Sequence, residues 1–403
     1  MSSQQYQRCV RCVLDTVGDP FIVFDENGVC NYCKEYDNTV VPSRIPPDIG
    51  EKKLNQIIEE IKRKGKHQKY DCLLGLSGGM DSTYIAYLAK KYGLRPFVIH
   101  LDNGWDSELA VKNIENILKK TGFDYYNYVI DWEEFKDIQL SYLKASVIDI
   151  EVVSDQAIFA VLCQFARKLR IKYIMMGDNP ATERIMPKGW SYQKNDLANL
   201  KAIHKKFGRV KFKTYPLMGL YDKVFYGTVC QIRHISLLHF IPYNYQDVQK
   251  LLESEFCWKN YEWKHCESIF TKFYQGYILP KKFNADKRKA HLSDLILSGQ
   301  KTRDEALDKL SHHFYYTKEA FKNDYDYVLR KFDLSSDEFE KIMSLPIVPH
   351  TAFPQDKMHF WYDLKILFWL FFYFKVETAT KLIGRKILGP ARWLKLKRLV
   401  GKD

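Results

Sequence analysis

The chain has no apolar run long enough to cross a bilayer. Its longest strongly apolar stretch, Ile366 to Phe374, falls well short of the roughly 20 residues that a spanning helix needs. No secretory leader is visible either, because Met1-Ser2-Ser3-Gln4-Gln5 leads into cysteines and not into an apolar segment. The expectation is a cytoplasmic protein, where structural disulfides are rare and paired cysteines are better used on metals. The Gly-x-x-x-x-Gly-Lys-Ser/Thr signature of the familiar nucleotide-triphosphate loop is also absent. There is no convincing internal repeat.

What is present is ordinary in amount and uneven in place. The 403 residues allow two or three domains, and 46% apolar with 28% charged residues is a globular composition. The net charge is +13, but residues 358–403 hold ten Lys or Arg against three acids, or +7 of that total. The body carries about +6, a mild field that does not demand nucleic acid.

Nine cysteines are present, and four of them form Cys9-x-x-Cys12 and Cys30-x-x-Cys33 with 17 residues between the pairs. Each pair can turn two thiolates onto one ion, and two pairs close a tetrahedral structural site for Zn²⁺. Between them, Phe21 to Gly28 reads as a strand and an Asn-Gly hairpin turn, the makings of a zinc ribbon. Cys72, Cys163, Cys230, Cys257 and Cys266 have no such spacing and read as core residues or inert thiols.

The ribbon spans residues 1–40. A proline-rich linker follows from Val41 to Pro47, then a helix over Glu51 to Lys64. Strands are expected at Cys72–Leu76, Pro96–Leu101, Tyr125–Ile130 and Lys172–Gly177. Helices are expected at Ser82–Tyr92, Glu108–Thr121 and Ser154–Leu169. The alternation predicts an α/β fold, a Rossmann-like open parallel sheet with flanking helices, over residues 50–235. Ligands of such sheets sit beyond the carboxyl ends of the strands. Residues 236–350 read as a helical substrate or partner domain, and 356–403 as a basic amphipathic tail.

The first strand runs into Ser77-Gly78-Gly79-Met80-Asp81-Ser82-Thr83. Two glycines let the backbone turn sharply and bring N–H groups onto an anion. The helix N-terminus adds its free N–H groups, and Ser77, Ser82 and Thr83 add hydroxyls. These residues predict a cradle for a pyrophosphate-like group.

At this loop the chain resembles the PP-loop ATP pyrophosphatases, marked by Ser-Gly-Gly-x-Asp-Ser after the first strand. The resemblance implies that ATP is cut between its α and β phosphates. The loop would grip the β and γ phosphates and leave the α-phosphorus open to an oxygen nucleophile. It implies adenine near His100, Leu101 and Asp102, Gly177 and Asp178 across the nucleotide, and Asp81 either holding Mg²⁺ or fixing the loop.

Further segments narrow the resemblance. Phe24 to Cys33, Ile203-His204-Lys205-Lys206-Phe207-Gly208, Tyr215-Pro216-Leu217-Met218, Asp286 to Ser293 and Leu295 to Gln300 are similar to N-acetyl sugar amidotransferases of surface-polysaccharide (LPS, O-antigen) biosynthesis. The resemblance covers about residues 8–350. It implies that the acetamido oxygen of a nucleotide-linked or nonulosonic sugar attacks the α-phosphorus, and that ammonia then displaces AMP to leave an acetamidino group. Lys205, Lys206, Lys287 and Arg288 are the expected stabilisers of charge on the phosphates, with Asp178 and Glu183 binding substrate or handling a proton. No glutaminase domain is seen and position 2 is Ser, so no free N-terminal cysteine nucleophile is expected. The resemblance implies ammonia from a partner glutaminase and a barrel subunit.

Trp361 to Phe374 is aromatic and apolar, and basic residues interleaved with Leu, Ile and Trp follow it. That composition suits contact with an anionic membrane surface, at the inner face of the membrane. A tRNA thiolation or modification enzyme is the rival reading, since such enzymes also join zinc knuckles to a Ser-Gly-Gly loop. That chemistry needs a cysteine or iron–sulfur cluster near ATP, and neither Cys72 nor Cys163 follows a strand end. A non-catalytic RNA-binding scaffold is the remaining alternative.

Overall fold

The computed structural model describes residues 5–356. The tail expected at 356–403, with its membrane-facing segment, lies outside the described residues apart from its first residue.

Five parallel strands form one sheet in the order β3-β2-β1-β4-β5. They are β1 Cys72–Gly75, β2 Pro96–Asp102, β3 Asp124–Val129, β4 Tyr173–Met176 and β5 Arg233–Ser236. Leu73 and Leu74 of β1 are buried on opposite faces, as a central parallel strand requires. Each contributes about 2 kcal/mol through burial. The chain builds outward from β1 to β3 and then returns to the other side of β1. The order therefore reverses between β1 and β4, and a crevice opens there.

Local chemistry ends the helices. Helix α1 is Asn31–Thr39, α2 is Pro47–Gly65, α3 is Met80–Lys91 and α4 is Glu108–Thr121. Ser107 caps α4 by accepting a hydrogen bond from Ala110 N at 3.1 Å, and Gly122 ends it at φ +67°. One face of the sheet packs against α2, α3, α4 and the later helix Tyr245–Phe256. The other packs against α6, Val152–Lys168, through Val161, Leu162 and Cys163.

Three elements depart from the sequence reading. Helices α5, Trp132–Ala145, and α7, Leu197–Phe207, occupy stretches to which the sequence reading assigns no element, and each starts on an aspartate cap, Asp131 and Asp196. β5 was not expected. It is short and half exposed, and its strand order comes from pairing with β4. In the N-terminal unit the expected turn is present, with Gly28 at φ +75° donating to Asp25 O at 3.0 Å. The expected strand shrinks to a single bridge between Phe24 and Cys30.

The four paired cysteines converge. Their Sγ atoms all lie within 4.8 Å of one another, with Cys9–Cys33 at 3.8 Å and Cys12–Cys30 at 3.7 Å. A tetrahedron with metal–sulfur bonds of about 2.3 Å has edges of about 3.8 Å, so the thiols fit a metal ion. Arg11 N, Cys12 N and Cys30 N donate to Cys9 Sγ at 3.4, 3.4 and 3.3 Å, which stabilises a thiolate there.

This unit is bolted to the C-terminal region. Arg303 donates to Cys12 O at 3.1 Å and to Cys9 O at 3.0 Å, and Lys289 pairs with buried Asp15 at 2.7 Å. Lys289 belongs to the helix Lys287–Leu297, so the cysteine unit buttresses that helix. We expect about one tightly held metal ion per chain, falling to about none in Cys12→Ser. Elemental analysis with a melting curve checks this. A wild-type chain without stoichiometric metal would contradict it.

Candidate active site

Two cavities open at the switch point. One, of about 520 Å³, is lined by Ser77, His100, Leu101, Gly177, Glu183 and Lys287 among others. The second, of about 280 Å³, is lined by Ser77, Gly79, Asp81, Ser82, Gly177 and Asp178 among others. They share a wall that includes Ser77, Gly177, Thr182, Glu183, Lys264 and Glu267.

The Ser-Gly-Gly loop is held rigidly between β1 and α3. Gly78 has φ +81°, and a Cβ there would lie 2.9 Å from Ala110 O, so only glycine fits. Gly78 O accepts hydrogen bonds from Trp258 Nε1 at 2.9 Å and Tyr261 OH at 3.0 Å. The Ser77 and Ser82 hydroxyls are 3.1 Å apart and face the cavities. Thr83 does not join them. It is fully buried and donates to Gly79 O at 2.7 Å, because a position four residues into the turn points into the core.

Asp81 fixes the loop. Its two oxygens accept from Asn179 Nδ2 and Lys264 Nζ, each at 2.9 Å. Burial works against the charge on Asp81, and Lys264 and Asn179 outweigh it, holding the carboxyl below its usual range. Lys264 also pairs with Glu183 at 2.8 Å and donates to Thr182 Oγ1 at 3.0 Å. Burial alone would strip its proton, but Asp81 and Glu183 raise its pKa. Lys264 thus ties the loop to the segment after β4.

At the end of β2, His100 sits between two acceptors, Leu76 O and Asp106 Oδ2, each at 2.8 Å. Both ring nitrogens must therefore donate, so the ring is cationic. Burial disfavours that charge and Asp106 restores it, leaving the pKa raised. Leu101 lines the larger cavity. Asp102 lines neither cavity and instead accepts from Gly104 N at 2.9 Å, turning the chain after β2.

The expected catalytic residues divide. Asp178 lines the smaller cavity, hydrogen-bonded by Ser236 and paired with His239 at 2.9 Å. Burial opposes its charge, and His239 and Ser236 prevail and lower its pKa. Glu183 accepts from Asn179 N at 3.1 Å besides pairing with Lys264. Lys287 and Arg288 line the larger cavity but are already engaged. Lys287 pairs with Glu151, and Arg288 binds Asp286 at 2.7 Å and lies 5.0 Å over the Trp263 ring.

Lys205 and Lys206 line neither cavity. On α7 the inward positions go to Ile203 and to His204, which bonds Asp137 at 2.9 Å. The next two residues fall on the solvent side, and Lys206 rests over Phe207 and Phe353.

Residues outside the sequence reading complete the walls. They include Lys264, Glu267, and the charged end formed by Glu151, Asp155 and Lys194. Asp294 accepts from Arg184 N and Ile185 N, and burial pushes its carboxyl up to about 8 against those bonds. Burial likewise pulls His291 down to about 3. Isolated charges in an aromatic-rich helical region carry no spacing signal, so nothing in the sequence singled them out. Neither cavity is lined by a cysteine. Cys72 and Cys163 are buried, and burial pushes the Cys163 thiol up to about 11.

A Ser-Gly-Gly-x-Asp-Ser loop at the switch point of a parallel sheet is the arrangement by which this chain resembles the PP-loop ATP pyrophosphatases. Residues 267–366 match the family model described as "LPS biosynthesis protein WbpG-like, C-terminal domain". Two relatives match in part. One is the tRNA(Ile)-lysidine synthase of Chlamydia pneumoniae, 37% identical over 70 residues, 17% of this chain and 22% of that protein. The other is an uncharacterized protein of Methanocaldococcus jannaschii, 28% identical over 115 residues, 28% of this chain and 39% of that protein. The chain thus spans well under half the length of either.

Among solved structures it is similar to NMN synthetase from Francisella tularensis, at TM-score 0.36 and 13% identity, covering 72% of this chain and 98% of that one. It is also similar to NH3-dependent NAD synthetase from Campylobacter jejuni, at TM-score 0.28 and 16% identity, covering 39% of this chain and 72% of that one. The fold assignment rests on the strand order and register above. Among the described residues no helix is long and apolar enough to cross a membrane.

Replacing Lys264 by Met leaves the largely buried Asp81 without its cation, while Glu183 is exposed enough to be hydrated. The expected loss is about 1–3 kcal/mol of stability, together with ATP affinity. Denaturant titration and nucleotide binding measure both, and wild-type values in the variant would show that the bridge holds nothing.

Proposed function

We propose that this chain is an ATP-dependent amidotransferase that adenylates the acetamido oxygen of a sugar and then admits ammonia to displace AMP. The observation that carries the proposal is the joined pair of cavities at the loop. The smaller one offers backbone N–H groups, the Ser77 and Ser82 hydroxyls and the N-terminus of α3 to the β and γ phosphates. The larger one runs past Leu101 and His100 toward a charged, hydroxyl-bearing end that suits a sugar. The match of the C-terminal region to a lipopolysaccharide-biosynthesis family model supports a polysaccharide precursor as acceptor.

In this reading Lys264 does the work expected of the absent loop lysine. It stays protonated at the shared wall and offsets the charge that grows on departing pyrophosphate. The acceptor's amide oxygen is a poor leaving group, and attack on the α-phosphorus turns it into a good one. Asp178 and Glu183 line the cavity where the nucleotide would lie, though their oxygens are already engaged. Asp81 is spent on the loop, so Mg²⁺ would arrive on the phosphates, its usual carrier in nucleotide sites. Zn²⁺ suits the four thiols as a structural ion, remote from the chemistry. Ammonia would come from a partner glutaminase through a barrel subunit.

A tRNA-modifying reading draws on the partial lysidine synthase likeness; the cysteine-free cavity walls count against its thiolation form, and acceptor dependence separates the rest. The test is ATP–pyrophosphate exchange with acetamido sugars, with tRNA, and with no acceptor. Exchange that depends on an acetamido sugar is expected. Exchange supported only by tRNA would overturn the proposal.

A further inference from the structure

Ammonia displacing AMP creates a charge that ordinary amide formation does not. The ammonia lone pair forms a C–N bond to the imidate carbon, and the C–O bond breaks with its electron pair leaving on AMP. One proton passes from the attacking nitrogen to the original amide nitrogen, and no proton is released. AMP gains one negative charge and the sugar is left with one positive charge, as an acetamidinium. An amidinium has two parallel N–H bonds and forks onto a carboxylate as a guanidinium does. A site built for this reaction needs a carboxylate that no other residue has claimed.

Nearly every acid on the two cavity walls is committed. Asp106 is on His100, Glu151 on Lys287, Asp155 on Lys194, Glu183 and Asp81 on Lys264, and Asp178 on His239. Asp294 is taken by two backbone N–H groups. Glu267 is the exception. Among the described residues no other residue donates a hydrogen bond to its carboxylate or forms an ion pair with it, and only its own N–H does so. It lines both cavities, where phosphate and acceptor must meet. It also lies against the loop, with Oε1 only 2.7 Å from where a Gly79 Cβ would stand. A bare carboxylate is a poor neighbour for a triphosphate, so the loop gains nothing from it. Burial pushes the carboxyl up, with His265 and Lys264 opposing.

Resting on the amidotransferase reading, we propose that Glu267 is the catalytic carboxylate that receives the acetamidinium as AMP leaves. Its backbone is anchored for the purpose: Ser107 N donates to Glu267 O at 2.9 Å and ties it to the cap of α4. In Glu267→Gln the amide keeps the shape and loses the charge. Amidine formation should fall roughly 100-fold while acceptor-dependent ATP–pyrophosphate exchange stays within about threefold of wild type. Glu267→Asp should recover part of the loss, and equal melting temperatures confirm that all three chains are folded.

Calorimetry with acetamidinium chloride on the AMP-saturated protein gives a readout without sugar or turnover. Binding about tenfold weaker in Glu267→Gln is expected. Equal binding by both chains would overturn the proposal. So would a Glu267→Gln chain whose exchange activity falls with its amidine formation, or recovers on added Mg²⁺, since Glu267 would then serve the metal or adenylation. Failure of every acetamido sugar in exchange would sink the amidotransferase reading and leave the acetamidinium result to stand by itself.

Discussion

Lys264 holds the candidate site together. Its ammonium joins Asp81 of the glycine loop to Glu183 of the segment after β4, and both carboxylates pair with it. In water such pairs are weak, but Lys264 and Asp81 are largely withdrawn from solvent, so losing the lysine leaves Asp81 without its cation, while the more exposed Glu183 is rescued by water. The bridge has a structural consequence and a chemical one. It draws the stretch from Trp258 to Glu267 over the loop, where Trp258 and Tyr261 also hold Gly78 O. It also places a permanent cation where pyrophosphate charge would grow.

The outer supports follow from the same arrangement. The cysteine unit braces the helix Lys287–Leu297 through Lys289 and the following helix through Arg303, and the first of these presents Lys287, His291 and Asp294 to the larger cavity. A metal held by the four thiols would therefore bear on the larger cavity through packing. Asp294 extends the brace by accepting two backbone N–H groups beside Glu183, at the cost of a strongly displaced carboxyl.

Features with a local cause were legible in the sequence. β1, β2 and β4 show as apolar runs, α4 as a capped amphipathic helix, the cysteine pairs by spacing, and the loop by its glycines. β5 was missed because a four-residue strand is defined by its neighbour, and α5 and α7 because their aspartate caps lie among other polar residues. Lys205 and Lys206 came from the resemblance, and helical phase turned them to solvent. Asp102 and Thr83 sat in the right segments, but their side chains were used by the backbone. Lys264 and Glu267 act only through tertiary proximity, which a lone charged residue does not advertise.

The central claim is that an acetamido oxygen attacks the α-phosphorus of ATP held by the Ser77–Ser82 loop. An acceptor labelled with ¹⁸O in its acetamido carbonyl tests it most directly. The account predicts that one turnover transfers the label to the phosphate of AMP, seen as an isotope-shifted ³¹P resonance. Label that stays in the sugar, or that appears in inorganic phosphate beside ADP, would contradict it.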